Sequence, residues 1–506
     1  MRITNQMMTN NMMSNVSKNK TKLDNLDNQY TSGDRIQRPS DDPIIAVRTL
    51  KLRTTLSELN QYLDKNIPDA LSWMDVTEGA LGNMNQILRD INTYCNQGSN
   101  DPLNVSNRST IVENLTQLKE QLFKECNANY AGRYVFSGYK TNSSITYEKT
   151  SQDLTYNITE DFSGEDIEQF SKVTGGYTTA DYDSNNPDAS VFSQAPKLVE
   201  NLYRLRLSYS NLDAKDLTTD DIKYKTVDQT TGESSMKSID ELGITLRNTT
   251  SKDDTAYIPG DDEIVYLNDT GELIMGSGVY EKLRLQEKGG ITIDYQKTNF
   301  SEGDCKPEHF FNCTSTDKNG EVKTYTQEEQ PIYYEVNFNQ TMKVNTQISQ
   351  YMGTDLGRDI EGILNAVNAV QDVENQMANV DKLLSNVDIT TEQKKALEEL
   401  KSQLSTEHVL KTKIMTNAFE SGIGKSTQYQ SQINVAVADL GSRYSRVTLT
   451  QDRLETQKVD YTELLSNNED ADLVDTFINL TSANTIYNAS LNSISKIMGT
   501  SLIDFI

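Results

Sequence analysis

No proline occurs after Pro331, so the last 175 of 506 residues lack the residue that most reliably ends a helix. The nine prolines sit at 39, 43, 68 and 102 near the start and at 187, 196, 259, 307 and 331 in the middle. A proline-free stretch of that length permits very long helices, and its apolar spacing predicts them. Leu473, Phe477, Leu480, Asn484, Tyr487, Leu491, Ile494, Met498, Ser501 and Phe505 follow a 4-3 alternation. That is the seam of a coiled coil, and a polar residue within it, here Asn484 or Ser501, fixes register at some cost in stability.

A shorter seam opens the chain, through Met12, Val16, Asn19, Leu23, Leu26 and Tyr30. Met1, Met7, Met8, Met12 and Met13 crowd the same end, where an intermolecular contact is as reasonable as an internal one. Arg38-Pro39-Ser40-Asp41-Asp42-Pro43 reads as a loop and helix start, with Asp42 as N-cap and Pro43 at the first helical position. A second seam runs from Leu52 to Cys95, with a kink or short break expected at Pro68. Gly98 to Pro102 reads as a turn, and a further helix carries Ile111, Leu115, Leu118, Leu122 and Phe123.

Between about 140 and 350 the character changes. Alternating runs at Ser144–Glu148, Glu263–Leu267, Gly290–Tyr295 and Ile332–Phe338 predict strands, and Lys197–Leu207 predicts one amphipathic helix among them. Helical spacing resumes near Leu356 and lasts to about Phe419. Ser421-Gly422-Ile423-Gly424 should break it before a last long helix from Gln428 to Leu465. The predicted fold is mainly α: a long antiparallel helical bundle or coiled coil formed by both chain ends, with an inserted β-rich (α+β) outer domain. The two termini should meet at one end, and the insertion should hang from the other.

Composition narrows the function. Seventy-four acidic against 48 basic residues give a net charge of −26, which argues against nucleic acid or an anionic membrane as a partner. No run of apolar residues is long enough to span a bilayer, and the opening residues lack a cleavable-signal pattern. Gly422-Ile423-Gly424-Lys425-Ser426 lacks the first glycine and the preceding strand of a phosphate loop, so a helix–helix turn is the better reading. Cys305, His309 and Cys313 are spaced by four, but Pro307 interrupts the segment and a fourth ligand is not evident. Cys95 and Cys126 read as buried free thiols, and neither His309 nor His408 has a nucleophile motif beside it. No catalytic, cofactor-binding or metal residue is assigned, and the chain is not expected to be an enzyme.

With 46 asparagines and only 35% apolar residues, core material is thin and gathered in the terminal seams. A lone helix or two-helix tip is marginal in water. Ends of this kind are loose in the monomer and order when other copies complete their burial, and a head-to-tail contact that does not close gives an open helical polymer. The expected assembly residues are Met8, Met12, Val16, Leu23, Leu26, Tyr30, Leu473, Phe477, Leu480, Tyr487, Leu491, Ile494, Met498 and Phe505.

Three stretches look familiar together: Met1-Arg2-Ile3-Thr4-Asn5-Gln6-Met7-Met8, Thr31–Ile36 with Arg38–Pro43, and Asn129-Tyr130-Ala131-Gly132-Arg133-Tyr134-Val135-Phe136-Ser137-Gly138. They resemble the bacterial flagellin superfamily, and within it the hook-associated branch that joins hook to filament. The ending Ser501–Ile506 is similar to that branch as well. The likeness covers about residues 1–140 and 355–506, while the β-rich middle matches nothing firmly.

The resemblance implies three layers: a terminal coiled-coil assembly region of 1–35 plus 467–506, a helical bundle of 36–140 plus 352–466, and an outer domain of 141–351, as one subdomain or two. It places Arg38, Pro39, Ser40, Asp41, Asp42 and Pro43 in the loop between layers. It implies a homo-oligomer in a helical lattice, with other hook-associated proteins, hook protein and flagellin as partners. A cytoplasmic export chaperone would hold the C-terminal region, and export to the extracellular flagellum would leave no cleaved signal. Two other readings stay open: a flagellin that forms the filament itself, and an exported protein whose insertion is enzymatic or adhesive.

Overall fold

The structure, a computed structural model, describes residues 5–100, 105–212, 215–227, 233–253, 255–386 and 388–503. Its helices are α1 (Asn5–Ser32), α2 (Pro43–Gln61), α3 (Ile67–Ser99), α4 (Val105–Glu125), α5 (Ser277–Leu283), α6 (Asp355–Leu384), α7 (Thr391–Glu469) and α8 (Leu473–Ile503). The chain forms two compact units: residues 1–71, 334–342 and 444–506, and residues 72–333 and 343–443.

In the first unit, α1 packs along α8. Asp42 caps α2, its Oδ1 accepting from the amides of Ile44 at 3.0 Å and Ile45 at 3.1 Å, with Pro43 inside the first turn. Replacing Asp42 with alanine should cost about 1 kcal/mol of stability and speed amide exchange in the first turn of α2. Hydrogen exchange on the two proteins would read this directly. The break expected at Pro68 takes another form. A π-helical turn at Tyr62–Asn66 precedes α3, closed by the Ile67 amide on the Tyr62 carbonyl. A proline ring collides with the carbonyl four residues back in a regular helix, and one wider turn just before it relieves that collision without ending the helix.

The glycines expected to break the last helices do not. The 79 residues of α7 run through Ser421–Gly424 without interruption. A Cβ at Gly422 would lie 2.7 Å from Ile363 Cδ1 and 3.1 Å from Cys95 Sγ, so this glycine serves close helix packing. One glycine costs a helix only about 1 kcal/mol. The true interruption falls between the end of α6 at Leu384 and the start of α7 at Thr391, where Thr390 and Gln393 form a reciprocal cap. Gly98 likewise stays helical, its missing Cβ leaving room for the ring of Phe419. The turn expected at Gly98–Pro102 therefore starts later, and residues 101–104 lie outside the described ones.

The second unit holds the strands β1 (Asn129–Tyr130), β2 (Arg133–Tyr134), β3 (Leu154–Phe162), β4 (Glu168–Thr174), β5 (Lys197–Arg206), β6 (Ile222–Val227), β7 (Ser234–Ser238), β8 (Thr245–Thr249), β9 (Glu263–Leu267), β10 (Glu272–Met275), β11 (Ile291–Lys297), β12 (Asn312–Asp317) and β13 (Val322–Tyr325). A hairpin of β14 (Tyr333–Asn337) and β15 (Gln340–Lys343) follows. One sheet runs β4-β5-β10-β9-β8 and another β13-β12-β3-β11-β6-β7. Only β8 and β9 are parallel among the pairings of these two sheets. Side chains alternate across β11, and Ile293 and Tyr295 join Ile158 of β3, Leu205 of β5, Tyr266 of β9 and Leu273 of β10 in one core.

Lys197–Leu207, expected as a helix, is β5. Asn201 adopts φ +62° and the pairing with β4 slips between Phe170 and Lys172. The bulge resets the alternation, so Leu198, Val199, Leu202 and Leu205 acquire a helix-like spacing. Ser144–Glu148 forms no named strand. The Asn127 side chain accepts from the amides of Ile145 at 2.7 Å and Thr146 at 3.3 Å, leaving a single bridge from Thr146 to Cys305. Nor does the insertion only hang from an end of the helices. Phe192 is buried with Val373, Val380, Leu397, Leu400 and Leu404, so residues near 177–192 lie along α6 and α7.

Candidate assembly surfaces

The terminal pair is built from one face of each helix. On α1, Met12, Val16, Asn19, Leu23 and Leu26 are half-buried, whereas Met8 and Tyr30 stay exposed. Asn19 Nδ2 donates to Ser490 Oγ at 2.9 Å, and the Tyr30 and Phe477 rings lie 5.7 Å apart. On α8, Leu480, Tyr487 and Ile494 are half-buried, and beside them Thr476 and Ala483 are buried and Ser490 half-buried. The contact thus keeps one track of the expected seam and shifts the other by a single residue. Small side chains at 476, 483 and 490 let the helices approach closely.

The displaced track stays open. Leu473 is 51% exposed, Phe477 53% and Leu491 42%, with Val474, Ile478 and Ile486 exposed next to them. The Met498 side chain and Phe505 lie outside what the structure describes. Sequence reading missed Thr476 and Ser490 because it followed apolar residues only. A heptad of small residues was the available signal.

At the base of this pair, two chain breaks are fastened together. The Arg35 amide donates to the Glu469 carbonyl at 2.7 Å, Ala471 donates to the Gly33 carbonyl at 2.7 Å, and Asp34 bridges Asp470. Asn468 Nδ2 reaches Thr49 Oγ1 at 2.7 Å, and Arg53 pairs with Glu469. In the neighbouring loop, Asp41 Oδ2 accepts from the amides of Gln37 at 3.3 Å and Arg38 at 2.9 Å. Arg38, Pro39, Ser40, Asp41 and Pro43 are exposed and Asp42 is half-buried, so the loop is shaped internally and open to contact.

Within the second unit, a cleft of about 1210 Å³ is lined by β4, β5, α6 and α7, and an ion network joins its walls. Arg206 pairs with Glu168 at 2.9 Å and with Asp359. Arg204 pairs with Glu168 at 3.2 Å and Glu272 at 2.9 Å, and Lys425 with Glu168 at 3.0 Å. Tyr429 donates to Asp359 Oδ2 at 3.2 Å. Burial alone pushes the Glu168 carboxyl up, but Arg206, then Arg204 and Lys425, outweigh it and hold it at about 2. Lys425, from the glycine-flanked run, is thus a mid-helix cation in a structural network.

Cys305, His309 and Cys313 do not converge. Cys305 bridges Thr146, Cys313 lies opposite Ile158 in β12, and His309 ends a 3-10 turn with no hydrogen-bond partner for its Nε2. Burial pushes the Cys313 thiol up to about 12 and the His309 imidazole down to about 4. All four cysteines are buried and free, and among the described residues no group of three or more His, Cys, Asp or Glu could hold a metal. His408 sits 3.0 Å from Glu374, which also pairs with Arg108 at 2.7 Å.

Known proteins match both ends of the chain. Residues 3–141 match the bacterial flagellin N-terminal helical region and residues 423–506 the C-terminal helical region. The chain is similar to flagellar hook-associated protein 3 of Salmonella typhimurium, 28% identical over 145 residues, covering 28% of this chain and 45% of that protein. It is also similar to a flagellin of Clostridium tyrobutyricum, 31% identical over 125 residues, covering 25% of this chain and 33% of that one. Flagellar hook-associated protein 3 of Escherichia coli is 27% identical over 145 residues, 28% of this chain and 45% of that protein. The chain thus spans less than half the length of these curated relatives. Among the described residues no helix is long and apolar enough to cross a membrane.

Proposed function

We propose that the chain, whose residues 3–141 and 423–506 match the flagellin helical regions, is a structural, non-enzymatic component of the bacterial flagellum that links hook to filament by self-assembly of its terminal helices. The observation that carries this reading is the apolar track of α8 that stays about half exposed beside α1, at Leu473, Phe477 and Leu491. A track that one chain cannot cover is supplied with a partner when copies stack in a lattice. Hook protein, flagellin and other hook-associated proteins would flank such a lattice. An export chaperone would cover the same track before secretion to the extracellular flagellum. The exposed loop Arg38–Pro43, at the base of the terminal pair, is proposed as a second contact between subunits. The three-layer division at residues 35/36, 140/141, 351/352 and 466/467 belongs to the same proposal.

The likeness to a Clostridium tyrobutyricum flagellin favours a second reading, a filament-forming subunit. Incubating the purified protein alone in polymerising salt separates the two. A junction protein gives short or no assemblies, and labelled protein appears as a point between hook and filament. Long filaments from the protein alone, or label along the whole filament, would overturn the junction.

A further inference from the structure

Glu160 of β3 is 4% exposed, inside the core shared by the two sheets. Ser208, just after β5, donates its amide to Glu160 Oε2 at 3.2 Å and its hydroxyl to Oε1 at 2.5 Å. Tyr295 of β11 donates its hydroxyl to Oε2 at 2.8 Å. Thr354, immediately before α6, donates to Ser208 Oγ at 2.6 Å. Among the described residues no cation pairs with the Glu160 carboxyl. Lys297, itself buried, donates to the Ser210 carbonyl at 2.8 Å and lies over the Tyr209 and Phe300 rings. The charge that bears on Glu160 is another carboxylate, Asp355, at the first position of α6.

We propose that Glu160 makes the contact between the β-rich layer and the first turn of α6 a pH-responsive joint, closed while its carboxyl is protonated and loosened once it ionises. Protonated, the carboxyl can donate from Oε1 to Ser208 Oγ, and the Ser208–Thr354 hydroxyl chain then runs in the reverse sense with no charge in the core. Ionised, it only accepts, has no counter-cation among the described residues, and faces the carboxylate of Asp355, an exposed residue in the first turn of α6. Burial first, and then Asp355, push the Glu160 carboxyl up to about 7 against the hydrogen bonds from Ser208 and Tyr295. A carboxyl raised from 4.5 in this way binds its proton more tightly in the folded chain. Its contribution is therefore complete below about pH 4.5 and disappears as pH rises through about 7.

Hydrogen exchange on the full chain, corrected for intrinsic rates and compared at about pH 5.5 and about pH 8.5, tests the joint. Amides of residues 205–209 and 355–360 should lose protection by about tenfold or more at the higher pH, since a linked proton contributes up to tenfold per pH unit. In Glu160→Gln the protection should be equal at both pH values, and Asp355→Asn should move the midpoint down. Protection independent of pH in the native chain, or the same dependence persisting in Glu160→Gln, would overturn the proposal. If the glutamine variant does not fold, infrared spectra of the native protein decide. A protonated-carboxyl band surviving at about pH 6 is expected, and its absence there refutes the joint.

Discussion

Removing residues 473–506 should abolish assembly and leave the unit of residues 72–333 and 343–443 folded. That unit draws its cores from the two sheets and from α6 and α7, none of which α8 supplies. What the truncation deletes is the open track. Leu473, Phe477 and Leu491 are each already about half covered, so completing their burial is worth about 0.8–1.5 kcal/mol apiece. Repeated at every subunit, that sum separates stacked copies from free ones. A single Phe477→Asp change should therefore raise the concentration needed for assembly at least tenfold, about 1.4 kcal/mol. Sedimentation of the variant checks it, with circular dichroism showing helix content otherwise kept. A truncated chain that still assembles, or that loses most of its helix signal, contradicts the account.

Arg206→Ala should destabilise the second unit by about 1–3 kcal/mol, because it removes the main cation beside Asp359 and one of three around Glu168, where Arg204 and Lys425 remain. Urea unfolding followed by circular dichroism measures the loss. Replacing Arg206, Glu168 and Asp359 together with apolar residues of similar size should cost far less, since a buried charge is expensive mainly when unpaired. The same network sets an acid limit. With Glu168 held at about 2 against an ordinary 4.5, its contribution is whole above about pH 4.5 and is lost as pH falls through about 2. In Arg206→Ala, where Arg204 and Lys425 remain beside Glu168, that acid-dependent component should shrink.

The helices and several strands were legible because each reports itself locally. The proline-free tail became α6, α7 and α8, the Asp42-Pro43 start became a capped α2, and the alternating runs became β9, β11 and β14. Where reading failed, a neighbour had overruled the local pattern. Asn201 disguised a strand as a helix by inserting a bulge, and Gly422 is required by Ile363 and Cys95, which no local window contains. The break before Thr391 did have a local sign, Thr390 three residues before Gln393, which the sequence reading left unused. Glu168, Arg206, Asp359 and Lys425 come from four distant stretches, so their network could not be anticipated. In the contact of α8 with α1, Leu480, Tyr487 and Ile494 fall on the predicted seam and Thr476 and Ser490 fall beside it, since small polar residues carry no weight in an apolar seam.

The fastening of Gly33–Arg35 to Glu469–Ala471 has a mechanical consequence. The entry to one terminal helix and the exit to the other share a single hinge line, so neither α1 nor α8 can swing alone without tearing its bonds. Bending at that line should therefore carry both helices together. Any torque applied to one terminal helix is delivered to the other at the hinge.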